Sequence, residues 1–118
     1  MRVLFRNLWV SPSYRMASYP LIASVCNGCG PSGFFSIIPD TFYGLSVTSA
    51  CNPHDWDYCE GKTLKDKKRA DKWFLVNLNR IINRSTKKKW LKRFRKRRAK
   101  VYYLAVSKCG EQYFMGKG

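Results

Sequence analysis

Residues 48–82, TSACNPHDWDYCEGKTLKDKKRADKWFLVNLNRII, decide the fold. A first helix is expected to begin near Thr48 and Ser49 and to end at Gly61. Pro53 is tolerated only in a first turn, where its missing N–H is not needed. Thr63-Leu64-Lys65-Asp66 then has the form of a capping box opening a second, longer helix. Ala70, Phe74, Leu75, Leu78, Ile81 and Ile82 recur along it at helical spacing. Two core helices running antiparallel across a tight link are the expected centre of the molecule.

That geometry singles out a few polar residues. Cys51, His54 and Tyr58 share one face of the first helix, at i, i+3 and i+7. Asp55 points about 100° away from His54. On the second helix, Leu75, Leu78 and Ile82 fall within about 40° of Asp71, so Asp71 sits inside the apolar stripe. Asp66, on another side, is explained by the cap. A carboxylate on a buried face is costly unless it is paired and hydrogen-bonded. His54 and Tyr58 are its natural partners, which makes His54 a candidate base oriented by Asp71.

Upstream, residues 27–33 (NGCGPSG) form a loop dense in Gly and Pro. Gly28, Gly30 and Gly33 let the backbone turn carbonyls inward, and carbonyl oxygens with one carboxylate suit Ca²⁺. A base, its orienting acid and such an ion would make a hydrolytic site. The cysteines at 26, 29, 51, 59 and 109 leave a competing arrangement open. Cys26 and Cys29 with Cys51 and His54 have credible spacing for four zinc ligands, and a partial disulfide framework is the other option.

Cys29-Gly30-x-x-Gly33, then Cys51-x-x-His54-Asp55-x-x-Tyr58, then Asp71 on the next helix, together resemble the secretory phospholipase A2 superfamily. The resemblance covers residues 26–82, and its most specific piece is C-x-x-H-D-x-x-Y. It implies His54 as general base, Asp71 as the acid that orients it and Tyr58 as that acid's hydrogen-bond partner. It also implies Asp55 as the calcium carboxylate, with Gly28, Gly30 and Ser32 as carbonyl ligands, and the Gly30 N–H in the oxyanion hole. A Cys29–Cys51 disulfide follows in the same way. Pro53 directly before the base and the absence of adjacent cysteines before the histidine mark a reduced version. It is similar to compact microbial, phage or viral members, which implies a secreted or virion- or phage-associated protein. No signal peptide is read in residues 1–25, which are expected to be an amphipathic or partly helical lead-in. Leu21, Ile22 and Val25 are candidates there for an apolar substrate channel. Residues 34–45 are expected to be a wrapped loop.

The whole chain has 118 residues, a single domain by length. With 45% hydrophobic and 15% aromatic residues it can build a core. Its formal net charge is +16, from 23 Lys and Arg against 7 Asp and Glu, which predicts an anionic partner. The excess is local: residues 84–100 hold eleven bases and no acid, whereas residues 1–83 hold ten bases against six acids. The first two-thirds therefore reads as an ordinary domain carrying a basic appendage. A basic amphipathic C-terminal helix is expected over 84–107. Trp90, Leu91, Phe94, Val101, Tyr102, Leu104 and Ala105 would share one face, with Lys88, Lys89, Lys92, Arg95, Lys96 and Lys100 on the other. Lys88, Lys89, Trp90, Lys92, Phe94, Arg95 and Lys96 are the expected contacts to an anionic phospholipid membrane. Nucleic acid is a possible but less favoured partner.

The resulting expectation is a mainly α fold: two antiparallel core helices with the His/Asp site, a Gly-rich calcium loop and the basic helix. Its function would be calcium-dependent cleavage of the sn-2 ester of glycerophospholipids. The alternative is a non-enzymatic basic module that binds nucleic acid or membrane, stapled by zinc or by disulfides.

Overall fold

The computed structural model describes residues 2–18, 20–22 and 41–116, with side chains as far as Ser107. Over these residues the protein is mainly helical, as the sequence implies. It opens on an antiparallel hairpin of β1 (Val3–Phe5) and β2 (Leu8–Val10), in which Leu4 faces Trp9 and Phe5 faces Leu8. The turn residues Arg6 and Asn7 have φ of 50° and 72°, the left-handed pair that a two-residue hairpin turn requires. The lead-in expected over 1–25 is thus β over residues 3–10. Among the described residues of this stretch, helix is found in α1 (Pro12–Met16), capped by Ser11, and at residues 20–22. The turn contains no glycine, so the usual hairpin signal is missing from the sequence.

A second small hairpin, β3 (Thr41–Phe42) and β4 (Leu45–Ser46), turns through Tyr43 and Gly44 at φ 50° and 83°. It replaces the end of the loop expected over 34–45; residues 34–40 lie outside the described residues. Helix α2 (Thr48–Glu60) follows, with the bounds the sequence implies. Pro53, however, lies in its second turn rather than its first, because the N-cap is Val47. Buried Pro53 therefore leaves one interior helix hydrogen bond unmade.

Helix α3 (Leu64–Ser85) begins at the expected capping box. The Thr63 hydroxyl accepts from the Asp66 N–H at 3.2 Å, and the Asp66 carboxylate accepts from the Thr63 and Lys62 N–H groups. After a three-residue link, α4 runs from Lys89 to Gly116, beyond the expected end at 107, while residues 84 and 85 belong to α3. Helix α3 is central and packs against both α2 and α4. None of the described helices is long and apolar enough to cross a membrane.

The main core joins the N-cap Val47 and Ala50 and Cys51 of α2 with Phe74, Leu78 and Ile82 of α3 and Ala99, Tyr102 and Val106 of α4. The basic helix is therefore a wall of the core and not an appendage. Leu78 and Ile82 are fully buried, each contributing about 1.5–3 kcal/mol relative to exposure. A second cluster packs β2 and Tyr14 on Trp56. Polar bonds hold this N-terminal unit to the helices. The Asn77 carbonyl accepts from the Trp9 N–H, and its amide donates to the Trp9 carbonyl, both at 2.8 Å. Arg80 donates to the Asn7 carbonyl at 2.6 Å.

Asn77→Ala removes both bonds to the β2 backbone, and is expected to cost about 2 kcal/mol in a urea titration. It should also speed hydrogen exchange at the Trp9 amide. An unchanged midpoint would show that the hairpin is held by its apolar contacts alone.

Candidate active site

The expected face of α2 meets the expected face of α3. His54 is 1% exposed, and its Nε2 lies 2.8 Å from Asp71 Oδ1. The Tyr58 hydroxyl donates to the same oxygen at 2.6 Å. Phe74, one turn beyond Asp71, stacks on the imidazole with centroids 4.4 Å apart and planes 20° from parallel. The Tyr58 ring covers another side at 4.4 Å. The three polar residues picked from helical spacing are therefore in contact and buried together.

The second carboxylate oxygen has a partner that the sequence reading did not pick. Lys67 Nζ donates to Asp71 Oδ2 at 2.6 Å, to the Val106 carbonyl at 2.9 Å and to the Ser107 carbonyl at 3.1 Å. Lys67 is 3% exposed. Its signal was present: position 67 is one turn before Asp71 on the same face. In a segment with six other bases nearby, nothing but that spacing sets it apart.

These contacts fix the protonation of the cluster. Burial alone would raise the Asp71 carboxyl, but the hydrogen bonds from His54, Lys67 and Tyr58 outweigh it and hold Asp71 below the ordinary carboxylate range. An ionised Asp71 only accepts, so the neutral imidazole carries its proton on Nε2 and its basic lone pair on Nδ1. Burial pushes His54 below its ordinary value, against the pull of Asp71. Burial, with the neighbouring Asp71 charge, likewise pushes the Tyr58 hydroxyl up, so it stays a donor.

Asp55 follows His54 on α2, half-buried and on a different face from the dyad. It is a hard oxygen donor of the kind that suits Ca²⁺. The other implied ligands, Gly28, Gly30 and Ser32, and the Gly30 N–H, lie outside the described residues. So do Cys26, Cys29 and Val25. Among the described residues no three His, Cys, Asp or Glu side chains converge, and a site built mostly from backbone carbonyls would not form such a group. Cys51 is disulfide-bonded, to a sulfur outside the described side chains. That leaves no thiolate at position 51 for the zinc arrangement.

Of the expected membrane contacts, Lys88, Lys89, Trp90, Phe94 and Lys96 are exposed and Lys92 is half-buried. Arg95 is not on the surface. It is 9% exposed and donates to the Phe42 carbonyl at 3.0 Å, the Tyr43 carbonyl at 2.8 Å and the Thr86 hydroxyl at 2.9 Å. The apolar face expected on this helix also divides: Tyr102 turns inward, while Trp90, Phe94, Val101 and Leu104 face solvent. The inward side carries Ala99, Tyr102 and Val106 together with the guanidinium of Arg95.

A cavity of about 340 Å³ lies between the N-terminal unit and α2, lined by Phe5, Leu8, Tyr14, Ile22 and Pro53 with Arg6 and Arg15. Ile22, one of the three channel candidates, reaches it, while Leu21 is exposed. Ser49 and Asn52 also line it, from the side of α2 turned away from His54. Comparison with protein-family models, curated proteins and solved structures finds no match to this chain.

Two outcomes follow from the cluster. Lys67→Met leaves the buried Asp71 charge without its cation, and should lower stability by about 3 kcal/mol. Adding Asp71→Asn should recover part of that loss, and a double variant no better than additive would break the pairing argument. The second outcome concerns pH. The unfolded chain takes up a proton near 6.5 that buried His54 resists, so this share of stability is full above that pH and declines below it. Asp57 works the other way: burial raises its carboxyl from 3.8 to about 6 although Arg2 sits 2.8 Å away. Between those values the folded chain keeps the extra proton, which offsets His54. Asp57→Asn removes the offset, so its stability should fall more steeply than wild type between about pH 6 and 4, by up to ~1.4 kcal/mol per unit. Parallel curves would refute this assignment.

Proposed function

We propose that the protein is a calcium-dependent hydrolase of the phospholipase A2 type, cleaving the sn-2 ester of glycerophospholipids at a membrane surface. One observation carries this reading: Asp71 receives both His54 Nε2 and the Tyr58 hydroxyl, with Asp55 next in the chain to the imidazole. A buried carboxylate that fixes the tautomer of a neutral imidazole prepares Nδ1 to take a proton from water. As that proton moves, Asp71 stabilises the imidazolium that forms, and Lys67 keeps Asp71 from taking the proton itself. Tyr58 and Phe74 hold the ring plane and keep bulk water away. Asp55 and the carbonyls of Gly28, Gly30 and Ser32 would hold Ca²⁺, and the Gly30 N–H would face the oxyanion. The bound ion supplies charge for the substrate phosphate and the developing oxyanion. The bases and exposed aromatics of α4 fit a substrate presented in an anionic bilayer.

The complete burial of the His54 side chain favours a second reading, in which the cluster only stabilises a disulfide-stapled basic binder of membrane or nucleic acid. Fatty-acid release from anionic phospholipid vesicles separates the two. The hydrolase should release fatty acid with calcium and not with excess chelator, and His54→Ala should lower the rate by about 10²–10⁴-fold. Asp55→Lys should abolish activity and calcium response together. No release from the wild type with vesicle binding intact would leave the binder; full activity in His54→Ala would end the proposed mechanism.

A further inference from the structure

Helix α4 carries two stripes on opposite sides. At 100° per residue, Arg95, Ala99, Tyr102 and Val106 share the side that is buried against the core. Trp90, Phe94, Val101 and Leu104 fall within about 80° of one another on the other side. They are 59%, 41%, 54% and 41% exposed. Arg97 lies within this outer stripe, its guanidinium 5.9 Å from the Phe94 ring centroid.

The stripe continues onto a different part of the chain. Tyr43, at the tip of the β3–β4 turn, is 54% exposed, with its ring centroid 6.1 Å from that of Phe94. The Arg98 guanidinium also lies over the Tyr43 ring, 5.8 Å from its centroid. Buried Arg95 holds this turn from beneath through the carbonyls of Phe42 and Tyr43. Along one flank of the stripe runs a shallow groove lined by Lys89, Lys92, Arg93, Lys96, Arg97 and Lys100.

We infer that this composite face, the outer stripe of α4 together with Tyr43, is the surface by which the protein lies on an anionic lipid bilayer. Trp90, Phe94, Tyr43, Val101 and Leu104 enter the interfacial layer, and the basic groove meets the lipid phosphates. Aromatic side chains with one apolar and one wet end favour that layer, and Arg97 can extend its charge to the headgroups while its stem lies along the apolar side. Charge complementarity selects this occupant. A second copy of the chain would bring two basic flanks together, which like-charge repulsion opposes. Duplex nucleic acid would satisfy the groove and leave the large exposed apolar side chains in water. The inference rests on the proposed membrane-resident substrate, and the binding it describes needs no hydrolysis.

The test uses the full chain in excess chelator, so that calcium-dependent turnover does not enter. Vesicles of mixed phosphatidylcholine and phosphatidylglycerol should bind the protein and shift tryptophan emission to the blue, with little binding to phosphatidylcholine alone. Trp90→Ala and Phe94→Ala should each weaken partitioning by about tenfold, and Trp90→Phe should remove most of the shift while keeping most of the binding. Tyr43→Ser should weaken binding by about threefold. Lys96→Ala and Lys100→Ala should each cost about fivefold, less at high salt. These side chains are exposed, so the fold should survive, which circular dichroism checks. Vesicle affinity unchanged by both Trp90→Ala and Phe94→Ala overturns the inference. So does binding of duplex DNA without binding of anionic vesicles. Vesicle binding that behaves as described, with no fatty-acid release once calcium is added, supports this surface while removing the hydrolase.

Discussion

The carboxylate of Asp71 is the constraint on which the remainder of the helical core depends. It is buried and ionised, so both of its oxygens must be answered from the surrounding helices. One oxygen takes donors from His54 and Tyr58 of α2, and the other takes the ammonium of Lys67, a turn away on α3. Lys67 spends its other donors on two carbonyls of α4. A single charge thus specifies how three helices stand against one another. Removing any partner leaves an uncompensated polar group at the point where they meet.

Most of that centre was legible in the chain. The capping box at Thr63 and Asp66 marks where α3 begins, and the 3.6-residue period then places Asp71 in the apolar stripe. An acid in such a position demands a donor, and C-x-x-H-D-x-x-Y provides two on one face of the preceding helix. The third donor was harder to see because Lys67 lies among bases of identical type. What distinguishes a buried lysine from a solvated one is the helix packed over it, here the carbonyls of Val106 and Ser107, almost forty residues downstream.

The errors share a physical origin. Arg95, expected among the membrane contacts, is buried beneath the β3–β4 turn, and Tyr102, expected on one apolar face with Trp90 and Phe94, turns into the core while those two stay exposed. Side-chain type alone does not decide which side of a helix is buried. Here a guanidinium finds two backbone carbonyls and a hydroxyl to satisfy it beneath the β3–β4 turn, and Ala99, Tyr102 and Val106 complete the inward side. The N-terminal hairpin was missed for a different reason. Its turn uses Arg6 and Asn7 at positive φ, a conformation that packing on Asn77 and Arg80 supports and that composition alone does not announce.

The bonds from Lys67 to Val106 and Ser107 bear on how the chain can be divided. A basic helix at the end of a sequence looks like a detachable module, something to be transplanted onto another protein or clipped away. In this molecule the segment that holds the surplus charge also supplies the far wall of the hydrophobic centre and a backbone anchor for the acid of the dyad. A chain stopped before residue 106 loses both anchoring carbonyls along with its terminal segment. Shortening the chain into this region would therefore disturb the core and the acid's anchor together, whereas single exposed side chains of the outer face can change without touching either.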